Sequence, residues 1–194
     1  MKPMRSTATL LLATATFSAQ AAPQQITVVD EAGRPVTPAA VSVVVQGSKP
    51  VSTSTGRAEM AQKSRTFVPG MLVVQTGTLV HFPNFDTVRH HVYSFSPTKP
   101  FEIKLYAGTP SAPIAFDKAG TATLGCNIHD KMLGYIHVVD TPYFGATDAA
   151  GQVTLDLPAG EHRLRVWTPA MGETSAPIER VIKVGPPFVV SIKK

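Results

Sequence analysis

Short runs of β-branched and apolar residues alternate along this chain with clusters of turn-forming residues. The 17 prolines and 14 glycines are spread over the sequence rather than gathered in one segment. Runs rich in valine, threonine and isoleucine that are bounded by such residues are typical of the strands of a sandwich or barrel. After residue 21 no stretch shows a sustained helical period, so the pattern predicts an all-β protein with very little helix.

The apolar runs predict strands from residue 26 to the end of the chain. The polar, turn-rich stretch 47–57 is predicted as a linker. The predicted strands are 26–29, 40–45, 71–74, 78–82, 89–95, 101–106, two within 114–125 separated by a turn at Gly120, 134–139, two within 147–167 separated by Pro158-Ala159-Gly160, 178–184 and 188–192.

The first 21 residues have the three parts of a secretory signal peptide. Lys2 and Arg5 give a basic start, residues 7–18 are apolar or small, and Ala19-Gln20-Ala21 is a small-x-small cleavage signature. A membrane anchor is the alternative, but the apolar run is short and rich in threonine and alanine. We therefore expect export to the periplasm with cleavage after Ala21.

Charge and cysteine content narrow the classes of function. Loss of Lys2 and Arg5 with the signal lowers the formal net charge from +5 to +3, and the chain has no basic run. This predicts no nucleic-acid binding. No second long apolar segment follows, so we expect no membrane span. The single cysteine excludes an internal disulfide, and an unpaired thiol in an oxidising compartment is expected to be buried or occupied.

That cysteine, Cys126, lies in the stretch GCNIHDKM with His129 and Met132 at spacings of three residues. A thiolate, an imidazole and a thioether suit copper, whereas zinc rarely accepts a thioether. A cysteine at a strand end, with two ligands on the tight loop behind it, allows three side chains to converge. A fourth ligand is available from His90 or His91, which face opposite ways because side chains alternate along a strand.

Other roles for these residue types compete with metal binding. A lone cysteine is commonly a small apolar core residue, and Met132 has the same alternative role beside Leu133. A Cys–His nucleophile pair is disfavoured, since no orienting group or oxyanion motif accompanies it. His81 and His137 are predicted to be structural or surface residues, and His162 to lie on a half-exposed strand.

The segments LVVQTGTLVHFPNFDTVRHHV and FDKAGTATLGCNIHDKM resemble the cupredoxin family of blue copper proteins over about residues 58–140. The Cys-x2-His-x2-Met loop is most similar to that of amicyanin, and the whole chain resembles methylamine utilization proteins. The resemblance implies a cupredoxin Greek-key β-sandwich with one type 1 copper. By carry-over, it implies four ligands: His90, Cys126, His129 and Met132.

Two positions depart from the family pattern. His91 stands where the family has an asparagine that ties the two ligand-bearing segments together by hydrogen bonds. Asp130 stands where a proline often follows the second histidine. Groups around the ligands tune a metal site, so these departures affect its potential, and His91 either replaces the asparagine's hydrogen bonds or competes for the metal.

The tail TDAAGQVTLDLPAGEHRLRV resembles carboxypeptidase-regulatory or transthyretin-like β modules, and ITVVDEAGRPVTPAAVSVV resembles the first hairpin of such a module. This implies a small β-sandwich formed by the N- and C-terminal segments, with Trp167 in its core. The predicted organisation is a signal peptide (1–21), N-terminal strands (22–50), a cupredoxin domain (58–140) and a tail module (143–194). The alternative is a single larger sandwich with extra edge strands.

The predicted function is that of a periplasmic one-electron carrier rather than an enzyme, because Met132 would close the ligand set. The resemblance implies a dehydrogenase or a cytochrome as redox partner, met by transient docking through a small interface. A copper carrier or assembly factor that delivers the metal is the alternative. A structural zinc-binding adaptor is a third.

Overall fold

The structure, a computed structural model, describes residues 21–47, 56–110, 112–129 and 131–193. The predicted signal peptide lies outside these residues except for Ala21. The described residues are mostly strands, with one short 3-10 helix at Pro169–Met171, and the all-β prediction is confirmed. No described helix combines the length and the apolar character that crossing a bilayer requires.

The strands alternate with short turns along the whole described chain. In chain order they are β1 (Ala21–Asp30), β2 (Ala40–Val45), β3 (Arg57–Glu59), β4 (Ala61–Lys63), β5 (Thr66–Val68), β6 (Met71–Gln75), β7 (Thr78–His81), β8 (His90–Ser94), β9 (Phe101–Tyr106), β10 (Ile114–Phe116), β11 (Gly120–Gly125), β12 (Leu133–Val139), β13 (Tyr143–Ala146), β14 (Gln152–Pro158), β15 (Glu161–Trp167), β16 (Ile178–Lys183) and β17 (Phe188–Ile192).

Strands from the two ends of the chain form one β-sandwich, called here the terminal sandwich. Its sheets have the strand orders β14-β1-β17 and β13-β2-β15-β16. Strand β1 pairs antiparallel with β14 and parallel with β17, and β2 pairs with β13 and β15. The inward-facing residues of both sheets form its core: Ile26, Val28, Val41, Val43, Leu155, Leu157, Leu164, Val166, Ile182, Val190 and Ile192.

Strand β1 is ten residues long, whereas the sequence pattern predicted only 26–29. Its first half, Ala-Ala-Pro-Gln-Gln, continues the antiparallel ladder with β14 as far as Ala21 opposite Pro158. Gln24 is fully buried there because its amide nitrogen donates to the carbonyl of Pro186 and its oxygen accepts from the N–H of Gly185. A buried polar side chain with both ends paired costs little, and apolar periodicity alone does not reveal it.

The middle of the chain forms a second sandwich, called here the central sandwich. It packs the five-stranded sheet β6-β12-β11-β8-β9 against the sheet β10-β7-β3. Alternate residues of the five-stranded sheet point into its core, as the two-residue period of strands requires. The buried residues of this core include Met60, Phe67, Val74, Val80, Phe82, Val92, Phe116, Ala122, Leu124, Ile136 and Val138.

Trp167 joins the two sandwiches and does not lie in the terminal core, where the sequence placed it. Its ring stacks on His137 of β12, with centroids 5.0 Å apart and planes at 11°, and it meets Tyr135 edge-on. Burial lowers the pKa of His137 to about 4, so that the stacked ring is neutral at neutral pH. Ala40 and Met71 complete this contact. The outer face of the five-stranded sheet therefore receives the tail of the chain.

The structure contains four strands that the sequence pattern missed: β3, β4, β5 and β13. The first three have only three residues each and include polar residues, too few to show a period. The turn that was predicted at Gly120 lies just before this residue, because Gly120 is already the first residue of β11. The residues 48–55 of the predicted linker lie outside the described chain. The domain boundaries 22–50, 58–140 and 143–194 stay predictions.

Replacing Leu164 by alanine should destabilise the protein by about 2–5 kcal/mol, because a fully buried leucine leaves a cavity. Urea denaturation followed by circular dichroism measures the change. Val181→Ala on the neighbouring strand is the matched control, since Val181 is 69% exposed, and its effect should stay within about 1 kcal/mol. Equal midpoint shifts for the two variants would contradict this assignment of the core.

Candidate metal centre

The four predicted ligands come from two neighbouring strands of the five-stranded sheet. His90 is the first residue of β8, and Cys126 follows directly after β11. His129 and Met132 lie in the turn between β11 and β12. Since β8 and β11 are adjacent and antiparallel, the start of one lies beside the end of the other.

Three of these side chains converge on one point. The Nδ1 atoms of His90 and His129 each lie 3.8 Å from the sulfur of Cys126. The two imidazole rings have centroids 5.0 Å apart. The three potential ligand atoms all lie within 4.8 Å of one another, which is close enough to hold one metal ion.

Met132 lies beside this group, buried in the same apolar cluster as Cys126. Both residues also border one surface cavity, together with Tyr93, Asn127 and Lys131. This position is compatible with the predicted axial role and with a core role. The assignment of Met132 as a ligand, like that of the whole set of four, stays a prediction.

Backbone hydrogen bonds shape the turn that carries Cys126, His129 and Met132. The N–H of His129 donates to the carbonyl of Cys126 at 3.4 Å, and the N–H of Met132 donates to the carbonyl of His129 at 2.9 Å. Each bond spans three residues, as in a β-turn. The two successive turns bring His129 back over the cysteine and return the chain to β12.

Asp86 fixes the orientation of His90 from the side opposite the cysteine. Its carboxylate oxygen lies 2.8 Å from His90 Nε2, and it also accepts hydrogen bonds from the backbone N–H groups of Ser64 and Arg65. The N–H of Arg65, then the His90 ring and the N–H of Ser64, hold the pKa of Asp86 below its usual range. Asp86 is therefore ionised at neutral pH.

An ionised Asp86 determines which nitrogen of His90 is free. A carboxylate only accepts hydrogen bonds, so Nε2 of His90 must carry the hydrogen that it donates to Asp86. In the neutral ring, Nδ1 then presents its lone pair towards Cys126. A carboxylate or carbonyl on the far nitrogen of a histidine is the usual partner of a metal ligand, since it fixes both tautomer and ring orientation.

Asn84 holds the loop that carries Asp86. Its side-chain oxygen accepts from the N–H of Asp86 at 2.9 Å, and its amide nitrogen donates to the carbonyls of Val88 and Tyr106. Ser64 and Arg65, which donate to Asp86, both have positive φ angles, 53° and 58°. This conformation turns two consecutive N–H groups towards the same carboxylate.

His91 faces away from the cysteine, as the alternation along β8 requires. Its Nε2 lies 2.8 Å from the carboxylate of Glu102 on β9, and its ring contacts Tyr93 with centroids 5.6 Å apart. His91 thus has a partner of its own on the outer side of the sheet. Asp130 lies outside the described residues.

The remaining histidines lie away from the cluster. His137 stacks on Trp167, as described above. His162 is buried, on the inner side of a strand with alternating burial, and its Nε2 donates to the carbonyl of Pro158 at 2.7 Å. His81 is partly buried in β7. These positions agree with the structural or surface roles predicted from the sequence.

Sequence reasoning missed the contact between Asp86 and His90. The available signal was an acid four residues before a candidate ligand histidine, across a turn. No sequence pattern indicated that Ser64 and Arg65 contact Asp86. These two residues belong to the β4–β5 hairpin, which the pattern did not predict.

Comparison with known proteins adds a likeness in structure. No family model matches the chain, and no curated protein matches its sequence. The chain is similar to a reduced tryptophan-to-tyrosine mutant of amicyanin, with 17% identity, a TM-score of 0.40, and coverage of 51% of this chain and 98% of that one.

Two further solved structures show the same degree of similarity. Amicyanin from Paracoccus versutus is 17% identical, with a TM-score of 0.37 and coverage of 50% of this chain and 98% of that one. A purple cupredoxin from Nitrosopumilus maritimus is 19% identical, with a TM-score of 0.37 and coverage of 43% and 99%. All of these matches leave about half of this chain uncovered.

Replacing Asp86 by asparagine should destabilise the metal-free protein at pH 7 by about 1–3 kcal/mol, because the amide cannot accept from all three donors. The lowered pKa of Asp86 gives stability that is present above its unfolded pKa, about 3.9, and is lost as pH falls through the folded value. The difference from wild type should therefore shrink below about pH 4. Urea denaturation at pH 7 and pH 3.5 measures both values.

Asp156→Asn provides the control for that comparison, because Asp156 is exposed on β14. It should change stability by less than about 0.5 kcal/mol at either pH. A difference between Asp86→Asn and wild type that is constant from pH 7 to pH 3.5 would show that the charge of Asp86 is not involved.

Proposed function

We propose that this chain is a copper-binding one-electron carrier of the cupredoxin type, with His90, Cys126, His129 and Met132 as ligands. One observation supports it above all: two imidazole nitrogens lie at the same distance, 3.8 Å, from a single buried thiol. The donor set favours copper.

The spacing fits a single metal ion held by both imidazoles and the thiolate. Bonds of about 2.3 Å to sulfur and 2.0 Å to nitrogen separate the two atoms by about 3.7 Å at an angle of 120°, and by about 3.5 Å at a tetrahedral angle. Both values are within about 0.3 Å of the observed 3.8 Å, so the spacing fits one metal ion and the donor types favour copper. Trigonal His2Cys sites with a weak axial methionine are typical of blue copper, whereas structural zinc prefers four tetrahedral ligands.

Copper held by this set supplies one-electron chemistry between Cu(I) and Cu(II). The protein contributes a ligand geometry that is already formed: the core encloses Cys126 and His90, and Asp86 holds the His90 ring. Ligands fixed in this way need little rearrangement when the charge of the metal changes. This suits electron transfer without substrate chemistry, and we propose no enzyme activity.

His129 is the partly exposed member of the group and provides the shortest approach to solvent. Exposed apolar side chains stand next to the site in sequence: Phe85 precedes Asp86, Ile128 precedes His129, and Leu133 follows Met132. They are 66%, 49% and 54% exposed. Exposed apolar side chains that form one patch mark interaction surfaces. We therefore propose transient docking of a redox protein, a dehydrogenase or a cytochrome, at this end.

Export to the periplasm remains part of the proposal. Its support is the basic start, the short apolar run and the Ala19-Gln20-Ala21 signature. Membership of the cupredoxin family, and a role in methylamine oxidation, rest on the motif resemblance.

A copper carrier or assembly factor is the second candidate. The surface cavity bordered by Cys126, Asn127, Lys131 and Met132 favours it, because two of the four predicted ligands line this cavity. A carrier and an electron-transfer protein differ in how readily they release the metal.

The first experiment adds Cu(II) to residues 22–194 of the wild type and of Cys126→Ser. We expect an intense blue absorption band and a narrow copper hyperfine splitting by electron paramagnetic resonance, both lost in the variant. Voltammetry and transfer of copper to a chelator then separate the two candidates. A reversible one-electron wave together with slow release of copper to the chelator supports the electron carrier. Fast release of copper without such a wave supports the copper carrier. A colourless protein that binds zinc tightly would overturn both.

The two adjacent histidines form a matched pair of variants. His90→Asn should abolish the blue band, because it removes a ligand. His91→Asn should keep it, because the His91 ring lies against Glu102 on the other side of the sheet. The same copper titration measures both, and loss of the band in His91→Asn alone would assign the ligand role to His91.

A further inference from the structure

One carboxylate of the tail reaches across to the five-stranded sheet near the candidate centre. Glu173 follows Gly172, whose carbonyl accepts a hydrogen bond from Trp167 Nε1 at 3.1 Å. Because Trp167 is itself stacked on His137, the backbone that leads to Glu173 is anchored on β12. Glu173 therefore approaches β8 and β11 from a fixed position.

Glu173 makes a chain of hydrogen bonds to both of these strands. Its Oε2 accepts from the hydroxyl of Ser96 at 2.6 Å, and the same hydroxyl oxygen accepts from the backbone N–H of Thr123 at 2.8 Å. Hydrogen bonds from the hydroxyls of Ser96 and Thr123 hold the pKa of Glu173 below its usual range. An ionised acceptor makes such bonds stronger. Ser96 follows β8 and Thr123 belongs to β11, so this clamp joins the two strands.

The seam between β8 and β11 has little other support from the backbone. These two strands are registered at one pair, Gly125 with Tyr93. The Thr123 N–H is paired with the Ser96 side chain rather than with a carbonyl of β8. At Gly125 the Tyr93 ring lies so close that a Cβ atom would come within 2.6 Å of it. The clamp thus replaces part of the missing ladder.

The same seam sets the separation of two predicted ligands. His90 is on β8 and Cys126 follows β11, and their side chains point into the core on the face opposite Glu173. A change in the spacing of the two strands changes the 3.8 Å between His90 Nδ1 and Cys126 Sγ. Metal sites respond to displacements of this kind, because ligand geometry must be held to within about 0.5 Å.

We propose that Glu173 is a positioning residue of the metal centre, acting through Ser96 and Thr123 on the spacing of the strands that carry His90 and Cys126. This inference rests on the proposed copper-binding function. It gives the terminal segment a role at a centre to which it contributes no ligand.

The test compares four variants of residues 22–194. Glu173→Ala removes the acceptor, Glu173→Gln keeps an acceptor without the charge, and Ser96→Ala removes the link to Thr123. Glu179→Ala is the matched control, since this carboxylate of the same tail contacts Arg165 and Arg163 instead. Thermal unfolding first establishes that each variant is folded.

The first measurement uses the metal-free protein and nuclear magnetic resonance. In Glu173→Ala and Ser96→Ala the exchange of the Thr123 amide hydrogen should rise about tenfold, and the amide shifts of His90 and Cys126 should move. Glu173→Gln should restore most of both effects, and Glu179→Ala should match wild type. Unchanged exchange at Thr123, or unmoved shifts at His90 and Cys126, would overturn the positioning role whether or not copper binds.

The second measurement uses Cu(II) and the visible spectrum. Glu173→Ala should shift the wavelength or intensity of the blue band while keeping one bound copper, with partial recovery in Glu173→Gln. A band identical to that of wild type would overturn the positioning role. If wild type has no Cys126-dependent band, the proposed function fails, and the metal-free measurements still decide whether Glu173 positions the two strands.

Discussion

The central place of β11 in its sheet is the constraint on which the candidate site depends. It is paired along its whole length with β12 on one side, and on the other side the Ser96–Glu173 clamp supplements its single registered pair with β8. The turn after β11 is short, so Cys126, His129 and Met132 are carried by one hairpin. His90 then reaches the thiol from the adjacent strand. Bringing polar side chains close together in a buried position costs free energy. Here the pairing of the strands offsets this cost, because it fixes the backbone from which the side chains extend.

The two faces of the five-stranded sheet pack against different parts of the molecule. Its inner face encloses the candidate ligands and the core of the central sandwich. Its outer face receives Trp167 over β12 and Glu173 over the seam between β8 and β11. The terminal sandwich is therefore attached to the sheet that carries the predicted ligands, through an aromatic stack and a charged hydrogen bond. These contacts restrict the sheet from outside in the same way that core packing restricts it from inside.

Strong local patterns made most of this architecture predictable from the sequence. Strands with clear runs, such as β2, β9 and β17, have the predicted bounds, because alternation and flanking turn residues reported them directly. The spacing of Cys126, His129 and Met132 indicated a convergent site for the same reason. The sequence pattern did not predict features that depend on partners far away in the chain. The short strands β3 to β5 depend on their neighbours, Gln24 is buried because residues near 185 pair with it, and Asp86 meets the N–H groups of a hairpin that has no apolar period.

His90 and His91 show the same limit of a local pattern. Alternation required that the two rings face opposite sides but did not say which ring faced inward. Each ring has its own carboxylate partner: Asp86 contacts the inward ring of His90, and Glu102 contacts the outward ring of His91. Pairing with a carboxylate thus does not distinguish a candidate ligand from a structural histidine, and the neighbouring thiol does.

The stack between Trp167 and His137 also makes the molecule optically informative. The chain has one tryptophan, and it lies between the two sandwiches rather than in either core. Its fluorescence therefore reports on the contact between them and on the protonation of the imidazole beside it. A chromophore in a core would respond to the collapse of that core, whereas this one responds to separation of the two halves even while both remain folded.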